Sequence, residues 1–113
     1  MSGITTHVLD TSSGRPAAGV PVTLELDVAG RWKPIGKGTT NADGRTANLW
    51  SNETALAAGT YRLIFDTASY FTNQQIKTFY PQVTVIFQVK DPAQHYHVPL
   101  LLSPFGYSTY RGS

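Results

Sequence analysis

The residues of this chain whose types and spacing point to chemistry are its three histidines, Arg45 and Arg111 among the arginines, and an aromatic C-terminal segment, "HYHVPLLLSPFGYSTYRGS", running from His95 to Ser113. His95 and His97 are separated by one residue, so in a strand both imidazoles leave the same face, together with Pro99 and Leu101. Tyr96, Val98, Leu100 and Leu102 form the opposite, core-facing side. An otherwise apolar face that carries imidazoles has to be covered, either by a partner subunit or by a ligand. Imidazole with an ordinary pKa of about 6.5 can move protons near neutral pH. A His-x-His pair also suits zinc, and with His7 it would make a three-histidine set with one position open to water. No carboxylate lies close in sequence to orient those rings.

His7, in "THVLD", shares a strand face with Thr5 and Leu9 while Thr6 and Val8 point the other way. A lone histidine there is ordinarily a hydrogen-bonded structural group. Arg45 follows an Asp-Gly turn in "NADGR", where arginine is ordinarily a solvated loop charge. Its permanently charged fork can hold two oxygens of a planar anion if it converges with the histidines. Arg111 is a second candidate for that role, or for a salt bridge closing the end of the chain.

The elements that must position these groups read as strands. In "VPVTLELDV", Val20, Val22, Leu24, Leu26 and Val28 alternate with Pro21, Thr23, Glu25 and Asp27. The pattern recurs with Tyr61, Leu63 and Phe65, and again with Val83, Val85, Phe87 and Val89. Turn signals separate the runs: "SSGRPAAG" after the first strand, a hairpin at "AGR" (29–31), and the Asp-Gly turn at 41–45. Two stretches predict short helix. "NETALAAG" has Asn52 as N-cap and Gly59 as stop, and "TASYFTNQ" follows the 60–66 strand. Seven or eight short strands predict a β-sandwich, and residues 1–113 read as a single domain. Its exposed sheet edges call for an oligomer.

Composition narrows the function. There is no cysteine, which excludes disulfides, thiolate nucleophiles and cysteine zinc sites. The net charge is +2 with nine Lys and Arg residues, scattered singly. That gives no stripe for nucleic acid and is compatible with a small anionic ligand. No run is long enough to span a bilayer, so no membrane association is expected. The N-terminal segment lacks the features of a secretory signal, and the last residues do not match the peroxisomal Ser-Lys-Leu address, so a cytoplasmic location is expected.

"THVLDTSSGRPAAGVPVTL", "TNADGRT" and "HYHVPLLLSPFGYSTYRGS", in this order and spanning nearly the whole chain, resemble the transthyretin-related 5-hydroxyisourate hydrolases. The resemblance implies an all-β, transthyretin-like β-sandwich of two four-stranded antiparallel sheets with one short helix. It also implies a homotetramer with its sites in the dimer–dimer channel. The implied reaction is hydrolysis of the small-molecule substrate 5-hydroxyisourate to 2-oxo-4-hydroxy-4-carboxy-5-ureidoimidazoline, in the urate to allantoin pathway, with no cofactor and no metal. The implied catalytic set is His7, Arg45 and His97. Substrate contacts fall on His7, Arg45, Tyr110, Arg111, Gly112 and Ser113. Transthyretin itself carries lysine, glutamate and threonine in place of His7, Arg45 and His97 and continues past the tetrapeptide. A carrier of a small hydrophobic hormone-like ligand is therefore the alternative, with a histidine zinc hydrolase as another. The family resemblance assigns no role to His95, for which a structural or orienting one is expected.

Overall fold

The computed structural model of the chain describes residues 3–46, 49 and 56–112. The strands are β1 (Gly3–Asp10), β2 (Arg15–Pro16), β3 (Pro21–Val28), β4 (Arg31–Thr39), β5 (Gly59–Phe65), β6 (Val83–Val89), β7 (His95–Ser103) and β8 (Gly106–Thr109). One helix, α1, covers Thr67–Thr72. They form two four-stranded sheets, ordered β2-β1-β7-β8 and β4-β3-β5-β6. Every pair is antiparallel except β1 with β7, which runs parallel from Gly3 opposite His95 to Asp10 opposite Leu102. The wholly antiparallel arrangement implied by resemblance is corrected at this pair. The two strands are separated by the entire second sheet, so no short turn forces them to run in opposite directions.

Alternation decides which side chains enter the core. Ile4, Thr6, Val8 and Asp10 of β1 are buried, as are Tyr96, Val98, Leu100 and Leu102 of β7. Opposite them lie Val22 and Leu24 of β3, Tyr61, Leu63 and Phe65 of β5, and Val83, Val85 and Val89 of β6. Leu26 is only half-buried and Val28 is 47% exposed. The β3–β4 hairpin runs beyond the core here, so the alternation of the sequence outlasts the burial it predicts. That hairpin turns at Ala29 and Gly30, both at positive φ (53° and 84°). Two such residues make the turn whose twist matches the flanking strands.

Asp10 closes the first turn. Its Oδ1 accepts from the Ser12 N–H (3.0 Å) and hydroxyl (2.6 Å), and its Oδ2 from the Tyr70 hydroxyl at 2.6 Å. Burial alone would raise this carboxyl's pKa, but the hydrogen bonds from Ser12, Tyr70 and Ser13 outweigh it and hold it below its ordinary value. Tyr70 belongs to α1, so the contact also ties the helix to the first sheet. Asp66 caps that helix, its side chain accepting from the Ser69 N–H at 3.1 Å. The helix expected over 52–59 falls largely outside the described residues; Leu56 is buried, and Gly59 opens β5. Among the described residues no helix is long and apolar enough to cross a membrane.

Candidate active site

With the even-numbered residues of β1 and β7 in the core, the odd-numbered ones face outward from the first sheet. The parallel register places Thr5 opposite His97 and His7 opposite Pro99. Two histidine-bearing strands therefore lie side by side, and His7 and His97 share one outer face. The face is partly covered within a single chain: Pro99 is buried, while His7, Leu9, His97 and Leu101 are half-buried.

The Asp-Gly turn delivers Arg45 to the edge of this face. Asn41 Oδ1 accepts from the N–H groups of Asp43 (2.9 Å) and Arg45 (3.1 Å). The backbone closes the turn from Gly44 N–H to the Asn41 carbonyl at 2.9 Å. Beyond it the chain docks on β1: the Val8 N–H donates to the Gly44 carbonyl at 2.8 Å, and Arg45 bridges to His7. Gly44 sits at φ +75°, and a Cβ there would collide with the Val8 carbonyl oxygen and crowd the His7 ring. Only glycine brings the turn this close.

The C-terminal segment arrives from the other side. β8 pairs with β7 as far as Thr109 opposite Leu100. Pro99 has no N–H to continue the ladder, and its carbonyl is taken by the Thr109 hydroxyl at 2.7 Å. The same register then resumes at Gly112, whose N–H donates to the His97 carbonyl at 2.8 Å. A Cβ on Gly112 would stand 2.5 Å from Cδ2 of His97, so the absence of a side chain lets the chain lie against the imidazole.

His97 is the most constrained of the histidines. Its Nδ1 is 2.8 Å from Thr5 Oγ1, and the same hydroxyl is 2.8 Å from Nε2 of His95. Burial lowers the pKa of His97, and the positive charges of Arg45, His7 and His95 lower it further. Its ring is thereby held neutral at neutral pH, with Nε2 making no hydrogen bond to the described residues. Thr5, Thr6, Arg45, Thr46, His95 and His97 line a cavity of about 380 Å³. Among the described residues Thr46 Oγ1 is the buried side-chain oxygen without a hydrogen-bond partner. The arrangement offers a neutral imidazole nitrogen and a guanidinium beside one polar cavity. Such a set can take a proton from water and stabilise negative charge developing on an oxygen.

The fold thus gathers His97, Arg45 and Gly112, with His7 beside them. Tyr110, opposite Pro99 in the continued register and 57% exposed, lines a separate cleft with Ile86, Phe87 and Tyr96. Arg111 turns away from the histidines: its guanidinium lies 4.5 Å above the Tyr96 ring and donates to Gln94 Oε1 at 3.0 Å. Ser113 lies outside the described residues. Sequence reading passed over Thr5 and Thr46; Thr5 was legible in principle, since it shares a strand face with His7. Among the described residues no three of His, Cys, Asp and Glu are grouped as metal ligands.

This architecture has known counterparts. The sequence profile of the HIUase/Transthyretin family matches residues 4–112. The chain belongs to that family. A 5-hydroxyisourate hydrolase of Salmonella dublin is 47% identical over 110 residues, spanning 97% of this chain and 80% of that protein. The structure of Klebsiella pneumoniae 5-hydroxyisourate hydrolase superposes with a TM-score of 0.85 at 35% identity, covering 100% of this chain and 94% of the other. Sea bream transthyretin in complex with thyroxine superposes equally well, with a TM-score of 0.89 at 37% identity, covering 96% and 93%. Backbone shape therefore does not separate the hydrolase from the thyroxine-bound transthyretin, and side chains must do so.

Proposed function

We propose that this chain is a 5-hydroxyisourate hydrolase, opening the lactam of its substrate between N1 and C6 to give 2-oxo-4-hydroxy-4-carboxy-5-ureidoimidazoline in the urate to allantoin pathway. The observation that carries the reading is the half-buried, neutral His97 beside the Arg45 guanidinium in a polar cavity. Nε2 of His97 takes a proton from the attacking water, whose oxygen bonds to C6. Arg45 binds the planar polar substrate and stabilises the charge that builds on the C6 oxygen. As the C6–N1 bond breaks, N1 regains a proton. His7, next to Arg45 on the same face, positions the water or the substrate. Gly112, lying against the His97 ring, bounds the site from the C-terminal segment. Arg111, held on Tyr96, braces that segment.

We also propose a homotetramer. Edge strand β4 is blunted by Lys33, Pro34 and Lys37, the usual protection against edge pairing. Edge strand β6 has no charge or proline from Val83 to Val89, and Ile86 on it is 60% exposed. Together with β8, whose Tyr107 is also exposed, it forms the edge on which two copies pair. The outer face of the first sheet then packs on a second dimer, placing the histidines in the channel between them.

A carrier role is the second reading, favoured by the thyroxine-bound relative. Urate oxidase can generate the substrate in a stopped-flow cell, with decay followed by absorbance in the presence and absence of the protein. Accelerated decay with no thyroxine binding by calorimetry is the expected result. Tight thyroxine binding without acceleration would replace the hydrolase reading with the carrier.

A further inference from the structure

A hydroxyl has one proton, yet Thr5 Oγ1 stands 2.8 Å from two imidazole nitrogens, Nε2 of His95 and Nδ1 of His97. It can donate to only one of them, so the other must carry a proton and donate to it. The protonation of the two rings is therefore linked through Thr5. The rings differ in setting: His97 is half-buried in the cavity, whereas His95 is exposed.

We propose that Thr5 and His95 are relay residues, a proton wire that connects Nε2 of His97 to solvent during turnover. The inference rests on the hydrolase reading and deepens it. Opening the lactam takes a proton from the attacking water and later gives one to N1, so each turnover sends a proton out of the site and brings one back. In the resting state His97 donates from Nδ1–H to Thr5, Thr5 donates to Nε2 of His95, and Nε2 of His97 is an open acceptor. When Nε2 accepts a proton, Nδ1–H passes to Thr5 Oγ1, the hydroxyl proton passes to Nε2 of His95, and His95 releases Nδ1–H to water. No bond other than these N–H and O–H bonds changes, and one proton has left the site. Run in reverse, the wire returns a proton to His97, which then protonates N1. The physical gain is that His97 does not have to hold a stable positive charge. The charged groups around it are Arg45 from the docked turn, His7 from β1 and His95 from its own strand. All are cationic or can become so, and an imidazolium among them is disfavoured. The wire moves the charge to the ring that water solvates.

Thr5→Val removes the hydroxyl at nearly constant shape, and Thr5→Ser keeps it. The expected result is a fall in kcat on the order of a hundredfold for Thr5→Val, the low end of what a proton-transfer group contributes, with KM little changed, and near-normal turnover for Thr5→Ser. His95→Ala, a change at an exposed position, should lose turnover in the same direction and regain it in imidazole buffer. Nitrogen-15 NMR of the rings gives a readout independent of catalysis. Titrating His95 should shift the tautomer of His97 in the unmodified protein, and this coupling should vanish in Thr5→Val. Normal turnover in Thr5→Val and His95→Ala, with His97 still essential, would overturn the relay and leave the hydrolase reading standing. Absence of turnover in the unmodified protein would overturn the hydrolase reading itself. Uncoupled ring titrations would then dispose of the shared proton as well. If Thr5→Val does not fold, His95→Ala with imidazole rescue decides the matter.

Discussion

His97 is where burial, hydrogen bonding and charge meet. Its pKa is lowered, chiefly by desolvation, so its neutral form persists below the ordinary histidine value of about 6.5. A base must be neutral to act, so kcat/KM should rise with pH and level off at a midpoint below that value. A midpoint clearly above it in the pH–rate profile would contradict the assignment. Gly112 makes the same point sterically: a single added methyl group at this position runs into the His97 ring. Gly112→Ala should therefore lower turnover on the order of a hundredfold, the cost of displacing a catalytic group by about 1 Å. Circular dichroism of that variant should remain that of the folded chain. The outward histidines on one strand face were legible from their spacing, because period two is a local rule. Thr5 could be placed on the strand face of His7, but its hydroxyl could not be placed between those two rings. It comes from a pairing of residues some ninety positions apart in the chain, which no local pattern encodes.

Turns and strand ends carry these side chains into place, and their local chemistry was largely readable. Asn41 and Gly44 specify the turn that docks Arg45, and Ala29-Gly30 specifies the β3–β4 hairpin. The parallel β1–β7 pairing could not be read from the strands themselves, since alternation fixes faces and not neighbours. Nor could the direction of Arg111, which the position of Tyr96 decides. Two outcomes test the element-level account. Truncation after Thr109 removes the segment that lies on His97, and the chain should still fold but lose most turnover. Retained turnover would reduce the segment to packing. Asp10→Asn should cost about 1–3 kcal/mol in urea unfolding at neutral pH, since a buried carboxylate that accepts several hydrogen bonds is weakened. The Asp10 pKa is lowered in the folded chain. Its contribution is therefore present above the ordinary carboxylate value and disappears as pH falls through the folded value. The difference between variant and unmodified protein should shrink in strong acid.

The proposed assembly rests on what a single sandwich leaves uncovered. β4 is guarded by lysines and proline, whereas β6 and β8 present an unguarded edge with Ile86 and Tyr107 exposed. Sedimentation at micromolar concentration should show a tetramer, and Ile86→Lys should shift it toward smaller species. A monomeric unmodified protein would refute the channel. The sandwich itself was legible because nearly every segment alternates, whereas the proposed tetramer rests on the need to cover edges and an outer face. Prolonged EDTA treatment should leave the rate unchanged. Loss of activity restored by zinc would move the chemistry from proton transfer by His97 to a metal.

Hydrolysis of 5-hydroxyisourate on the outer face of the first sheet is proposed to run through His97. Real-time carbon-13 NMR tests it most directly, with urate oxidase acting on urate labelled at C6 and the fate of that carbon followed. The unmodified protein should speed conversion of the lactam carbonyl signal into a carboxylate signal. His97→Ala, folded and assembled to the same degree, should leave the conversion near its uncatalysed rate. Equal rates with and without the unmodified protein, or a His97→Ala variant as fast as the unmodified one, would contradict it.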